Sequence, residues 1–167
     1  MILRLRNALV ACLLVTLLFV TSCAKAPSQF SQAQKDSTAR GATAVVKEST
    51  TGGTFNKYFP NDSKGYNRVY TQEKKGFAEA KLKKDGKDVA VISISDTVNN
   101  PSAVAKFKLS KDSIGGYPAV SQGTTATAVL VNERYQVKIL SRDPSFTEAD
   151  RKAWLAKFDL NGLAKLK

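Results

Sequence analysis

The chain has 167 residues, with 26 Lys and Arg against 14 Asp and Glu, a formal net charge of +12, two cysteines and no histidine. Without histidine it lacks the commonest metal ligand and the commonest general base near neutral pH, so catalytic triads built on that residue are excluded. The length suits one domain of ordinary size with a leader in front of it, and no second core is required.

Residues 1 to 23 read MILRLRNALVACLLVTLLFVTSC. Arg4 and Arg6 form a charged start, Ala8 to Val20 an apolar run, and Val20-Thr21-Ser22-Cys23 a small-residue cleavage site. The apolar run is too short to span about 30 Å of hydrocarbon. Ending in a cysteine preceded by small residues, the segment resembles the lipobox of bacterial lipoproteins, a family whose processing cuts before the cysteine and attaches lipid to its sulfur. The resemblance covers this segment alone. It implies a signal peptide over 1–22, lipidation at Cys23, and an exported protein held by acyl chains on the extracytoplasmic face of a bacterial membrane. An ordinary secretory signal with an incidental Cys23 is the alternative.

On that reading Cys12 is discarded and Cys23 is the one mature cysteine, so the exported domain folds without an internal disulfide. The mature chain keeps 24 basic residues against 14 acidic ones. In a cytosolic protein this charge would suggest nucleic acid. Export points instead to anionic lipid head groups or an acidic membrane protein as partner, and no nucleic acid is expected. The alternative is that the charge serves solubility alone.

From Ala24 to about Thr54 the chain is rich in Ser, Thr, Gln, Ala and Lys, which predicts a lipidated N-terminus and flexible tether over 23–54 and a single domain over 55–167. Within the tether, Phe30, Ala33 and Ser37 have helical spacing that Gly41 interrupts, while Ala44-Val45-Val46 suits a sheet edge.

Val69 to Gln72 reads as a short strand. In Phe77 to Lys83 the residues Ala78, Ala80 and Leu82 alternate with Phe77, Glu79, Lys81 and Lys83, the period of a strand with one buried face. Asp85-Gly86 suits a tight hairpin turn, and the return strand Val89 to Ser95 has Ala90, Ile92 and Ile94 on one side. Asn100-Pro101 starts a helix that the pattern extends to about Leu109, with Ala103, Val104 and Phe107 on its apolar side. Gly115-Gly116 turns the chain into Tyr117 to Gln122. A second hairpin follows, Thr125 to Val131 and Arg134 to Ser141 around Asn132-Glu133, with Tyr135, Val137 and Ile139 on one face. Thr147 and Asp150 form a capping box for a helix carrying Trp154, Leu155 and Phe158, which Asn161-Gly162 closes.

Gly65-Tyr66 matches Gly116-Tyr117, and Ala105-Lys106-Phe107 matches Ala156-Lys157-Phe158, both pairs at the same offset of 51. The expected fold is α+β: an antiparallel sheet of about six strands with two helices on one face, read as two ββα-type repeats. The layering is similar to that of exported photosystem lipoproteins in architecture alone. No motif is shared residue by residue, so the likeness carries no site.

Asp143, Glu148 and Asp150 are the densest acids, but acids at a helix start are explained by capping and the helix dipole. The segment Asp143 to Glu148 lacks the spacing and the glycine of a calcium loop. The pairs Gly52-Gly53 and Gly115-Gly116 belong to no phosphate-binding motif, and no GxSxG frames a serine. No catalytic residue, metal or cofactor is therefore expected. The most specific surface feature is the first hairpin, with six lysines against two acids over 74–87. Lys74, Lys75, Phe77, Lys81, Lys83, Lys84 and Lys87 are the candidate partner or head-group contacts, each lysine contributing about 1 kcal/mol near an anionic surface. The competing explanation is that these lysines guard an exposed sheet edge.

The expected function is a membrane-anchored, non-enzymatic lipoprotein with a basic binding or assembly domain. The alternative is a carrier of an apolar or lipid ligand. It rests on the small residues Ala78, Ala80, Ala90, Ala126 and Ala128, which leave room between sheet and helices.

Overall fold

The computed structural model describes residues 49–63 and 65–167. Cys23, the signal segment and the tether residues before 49 lie outside the described residues, as do the expectations placed on Phe30 to Val46.

Seven strands form one antiparallel sheet: β1 (Tyr66–Lys74), β2 (Phe77–Lys84), β3 (Lys87–Asp96), β4 (Asp112–Ile114), β5 (Tyr117–Gln122), β6 (Ala126–Val131) and β7 (Tyr135–Ser141). Their order is β1-β2-β3-β7-β6-β5-β4, so two three-stranded meanders meet along β3 and β7, with β4 an added edge strand. With helices α1 (Pro101–Ala105), α2 (Glu148–Leu155) and α3 (Leu160–Ala164), the fold is α+β. The turns obey local chemistry. Asp85 and Gly86 have φ of 48° and 78°, and Asn132 and Glu133 have 51° and 53°. Paired positive φ values twist a two-residue turn in the sense that antiparallel strands need.

One sheet face carries Ala78, Ala80, Leu82, Ala90, Ile92, Ile94, Val129, Val131, Tyr135, Val137 and Ile139, all buried. Trp154 and Leu155 of α2, Leu160 and Leu163 of α3, and Phe55 and Tyr58 of a 3-10 helix (Gly52–Tyr58) complete this core. Each such side chain contributes about 1.5–3 kcal/mol by leaving water. Phe55 meets Tyr135 edge to face with ring centroids 5.9 Å apart.

The expectation that both helices cover one face is corrected. Strand β6 is buried along its whole length. Val129 and Val131 enter the main core, whereas Ala128 and Leu130 face a smaller cluster with Phe107, Val104 and Val120. Helix α1 therefore lies on the opposite face from α2. The matching tripeptides end on opposite sides too, Phe107 in the small cluster and Phe158 in the main one, and each meander has three strands, so packing does not repeat as ββα units.

Local signals located the helix starts. The Ala103 amide donates to Asn100 Oδ1 at 3.2 Å, and the Thr147–Asp150 capping box is formed. Their ends differ from expectation. After Ala105 the amides of Phe107 and Lys108 bond three residues back, a tight turn that brings Phe107 inward and leaves Leu109 exposed. Asn161-Gly162 does not close α2, because Asp159 caps α3 by accepting the Gly162 amide at 2.8 Å.

The folded region also begins before the expected boundary at 54. Gly76 N donates to Thr50 O at 2.6 Å, and Thr50 N donates to Asp96 Oδ2 at 3.0 Å. A Cβ on Gly52 would stand 2.5 Å from the Lys74 carbonyl oxygen, so only glycine allows the 3-10 helix to seat there. Asp96, its side chain fully enclosed, also accepts from Arg134 Nε at 3.0 Å and Nη2 at 2.8 Å. Burial alone would raise its pKa, but the Arg134 guanidinium and the amides of Thr50 and Val98 outweigh burial and hold it below the ordinary value. A depressed folded-state pKa stabilises above the unfolded value of about 3.9, and that contribution is lost as pH falls through the folded value. Asp88, Asp143, Glu148 and Asp150 shift in the same direction. Asp96→Asn is thus expected to destabilise at neutral pH and to flatten the acid limb without abolishing it. Urea unfolding across pH reads this, and an unchanged limb would contradict it.

Candidate functional site

Strand β2 places Ala78, Ala80 and Leu82 in the core and presents Phe77, Glu79, Lys81 and Lys83 on the opposite, outer face. Register puts Lys83 opposite Asp88 of β3. Lys81 Nζ and Lys83 Nζ each lie 2.6 Å from a different oxygen of the Asp88 carboxylate. Hydrogen bonds from Lys81 and then Lys83 hold the Asp88 pKa below its usual value. Two ammonium groups share one carboxylate, so the cluster keeps a net positive charge. Lys74 faces Phe77 across β1 and β2, its Nζ 5.3 Å from the ring centroid.

The seven expected contact residues do not form one patch. Lys74, Phe77, Lys81 and Lys83 share the outer face. Lys75 sits in the β1–β2 turn, and Lys87 opens β3 at the far end of the hairpin. Lys84 turns to the core side, its Nζ 5.3 Å from the centroid of Tyr66, which in turn stacks edge-on to Trp154 at 5.1 Å. Strand β2 is second from the sheet edge, so Lys81 and Lys83 guard no edge.

Sequence reasoning missed Lys138. On β7 it pairs with Ser93, which pairs with Glu79 of β2, so it stands on the same outer face two strands from β2. Burial, and then the nearby Lys138 charge, lower the pKa of Lys106. Between the lysine rows on β3, Val91 and Ser93 are buried and Ser95 is half-buried, with Val69 43% exposed on β1 beyond. The alternation of Tyr135, Val137 and Ile139 already placed Lys138 on the other face. Only the β3–β7 pairing placed it near the first hairpin.

The acids around the α2 start are engaged locally. Asp150 Oδ2 accepts from Thr147 N at 2.8 Å, Asp143 Oδ1 accepts from Ser145 N at 2.8 Å, and Glu148 Oε1 pairs with Lys152 Nζ at 3.0 Å. Among the described residues, no group of three or more His, Cys, Asp or Glu side chains could hold a metal ion. The small residues of the carrier expectation divide between the faces. Ala78, Ala80 and Ala90 sit in the main core, which also holds Phe55, whereas Ala128 lies under Phe107 on the other side.

One buried charge had no sequence signal. Arg151 of α2 is 2% exposed and donates to three neutral acceptors: Nε to Thr127 Oγ1 at 3.0 Å, Nη1 to Ser141 Oγ at 2.8 Å, and Nη2 to Thr124 O at 3.1 Å. It ties α2 to β6, β7 and the loop before β6. Comparison with protein-family models, with curated proteins and with solved structures finds no match to this chain.

Proposed function

We propose that the protein is an exported lipoprotein, lipidated at Cys23, whose basic α+β domain is a non-catalytic binding or assembly module for an anionic membrane-associated partner. The lipobox-like segment supports the anchor. The observation that carries the binding role is the outer sheet face, where Lys74, Lys81, Lys83 and Lys138 are gathered from three strands and one carboxylate, Asp88, is shared between two of them. A domain already tethered to the bilayer gains from even weak attraction, because the tether raises its effective concentration at the partner.

Cross-linking the native lipoprotein in its own membranes, followed by mass spectrometry, tests this reading. Links should leave from Lys74, Lys81, Lys83 or Lys138 to one reproducible acidic partner, and salt should weaken capture. Lys81→Gln with Lys83→Gln is the suitable variant, since glutamates there would crowd Asp88 with like charge. At about 1 kcal/mol per lysine, losing both should reduce capture roughly tenfold or more. Capture indifferent to salt and to this double substitution would sink the proposal.

A further inference from the structure

A cavity of about 460 Å³ opens where the β5–β6 turn, the end of β7 and the start of α2 meet. Thr124, Ser141, Arg142, Phe146, Thr147 and Arg151 contribute to its wall. The volume falls in the range of small-ligand sites, about 300–1,000 Å³. Its electrostatics are unusual. A guanidinium has five N–H donors, and the neutral acceptors of Arg151 engage three of them. A buried charge ordinarily has a counter-charge. Yet among the described residues no carboxylate lies within ion-pair distance of Arg151 or of Arg142.

The two acids in the wall, Asp143 and Glu148, are bound first to other groups, and the Arg151 charge is the least of the influences on Glu148. Asp143 accepts the Ser145 amide, and Glu148 is held by Lys152 at 3.0 Å and by the Ser121 hydroxyl at 3.1 Å. The Ser141 hydroxyl is oriented by donating to Phe146 O at 2.6 Å, which turns its lone pair to Arg151.

We infer that this cavity is a binding site for a phosphate group, taken between the Arg142 and Arg151 guanidinium groups at the N-terminus of α2. Paired guanidinium forks match the several acceptor oxygens of a phosphate, and the enclosed position of Arg151 keeps water from screening it. The site lies apart from the lysine hairpin and stands or falls independently of the reading of that face.

The test is calorimetric titration of the full-length lipoprotein in detergent micelles with inorganic phosphate, against sodium chloride at matched ionic strength. Saturable binding of one phosphate per chain is expected. Arg142→Gln, an exposed position, should weaken it roughly tenfold, and Arg151→Lys should weaken it as well, with circular dichroism confirming the fold. Lys81→Gln with Lys83→Gln should leave it unchanged. Absence of saturable binding, or equal binding by Arg142→Gln, would overturn the inference. Displacement of phosphate by phosphatidylglycerol vesicles, and not by neutral phosphatidylcholine, would identify the phosphate as a lipid head group. Lack of displacement would identify it as that of a soluble ligand.

Discussion

Replacing Cys23 with serine is expected to remove all acyl mass from the protein, because serine offers no sulfur for the lipid. The effect is all or none, and intact-mass measurement of the protein from the membrane fraction reads it directly. Each buried methylene of an acyl chain contributes about 0.8 kcal/mol to membrane binding, and stable attachment takes two signals rather than one chain. A basic face attracted to anionic lipid is a suitable second signal. An unchanged lipid mass on Cys23→Ser would refute Cys23 as the point of attachment, and absence of lipid mass on the unsubstituted protein would leave the apolar leader as a plain export signal.

The largest loss of stability from a single polar side chain is expected at Arg151. Arg151→Met keeps much of the length and volume of the side chain but removes every donor that Thr127 Oγ1, Ser141 Oγ and Thr124 O now face. A buried polar group left unpaired costs about 1–3 kcal/mol. Relief from burying the guanidinium charge offsets part of the sum, so the net loss should be about 2–4 kcal/mol. The shift of the urea midpoint at constant slope measures it. Lys152→Met, one residue on and exposed, is the control and should stay within about 0.5 kcal/mol. A loss no larger at Arg151 than at Lys152 would show that helix and sheet hold together without the clamp. Unlike Arg142→Gln, this substitution is read through unfolding alone, so the structural role of Arg151 is measured separately from the phosphate site.

The lysine hairpin shows how far local pattern reaches. Alternation along Phe77 to Lys83 requires that Phe77, Lys81 and Lys83 share a face, because side chains in a strand point to opposite sides in turn. The same pattern is silent on Asp88. That residue meets Lys83 only because the register slips by one residue between Leu82 and Lys83, a bulge within the hairpin. Lys84 illustrates the limit from the other side. It continues the lysine run in sequence but belongs to the opposite face, where it covers Tyr66.

Helix placement followed the same division. The starts at Asn100 and Thr147 were legible because a cap is a contact within one turn of chain. Which sheet face each helix covers was not, since Ala126 to Val131 is apolar on both sides and offers a hydrophobic surface either way. A continuous apolar strand marks double burial without saying what lies on each face.

By itself the sequence determined what depends on near neighbours: the lipobox-like leader, the strand alternation, the tight turns at Asp85-Gly86 and Asn132-Glu133, the helix caps, and hence an antiparallel α+β sheet. Only the tertiary structure decided what depends on residues far apart in the chain. The β3–β7 seam brings Lys138 toward the first hairpin, Asp96 joins Thr50 to Arg134, and Arg151 reaches Thr127 and Ser141 from the last long helix. The physical reason is that a turn or cap is stabilised by bonds the local backbone already reaches. A charge at a sheet seam or under a helix becomes a site only after apolar burial has closed the long loops between its partners.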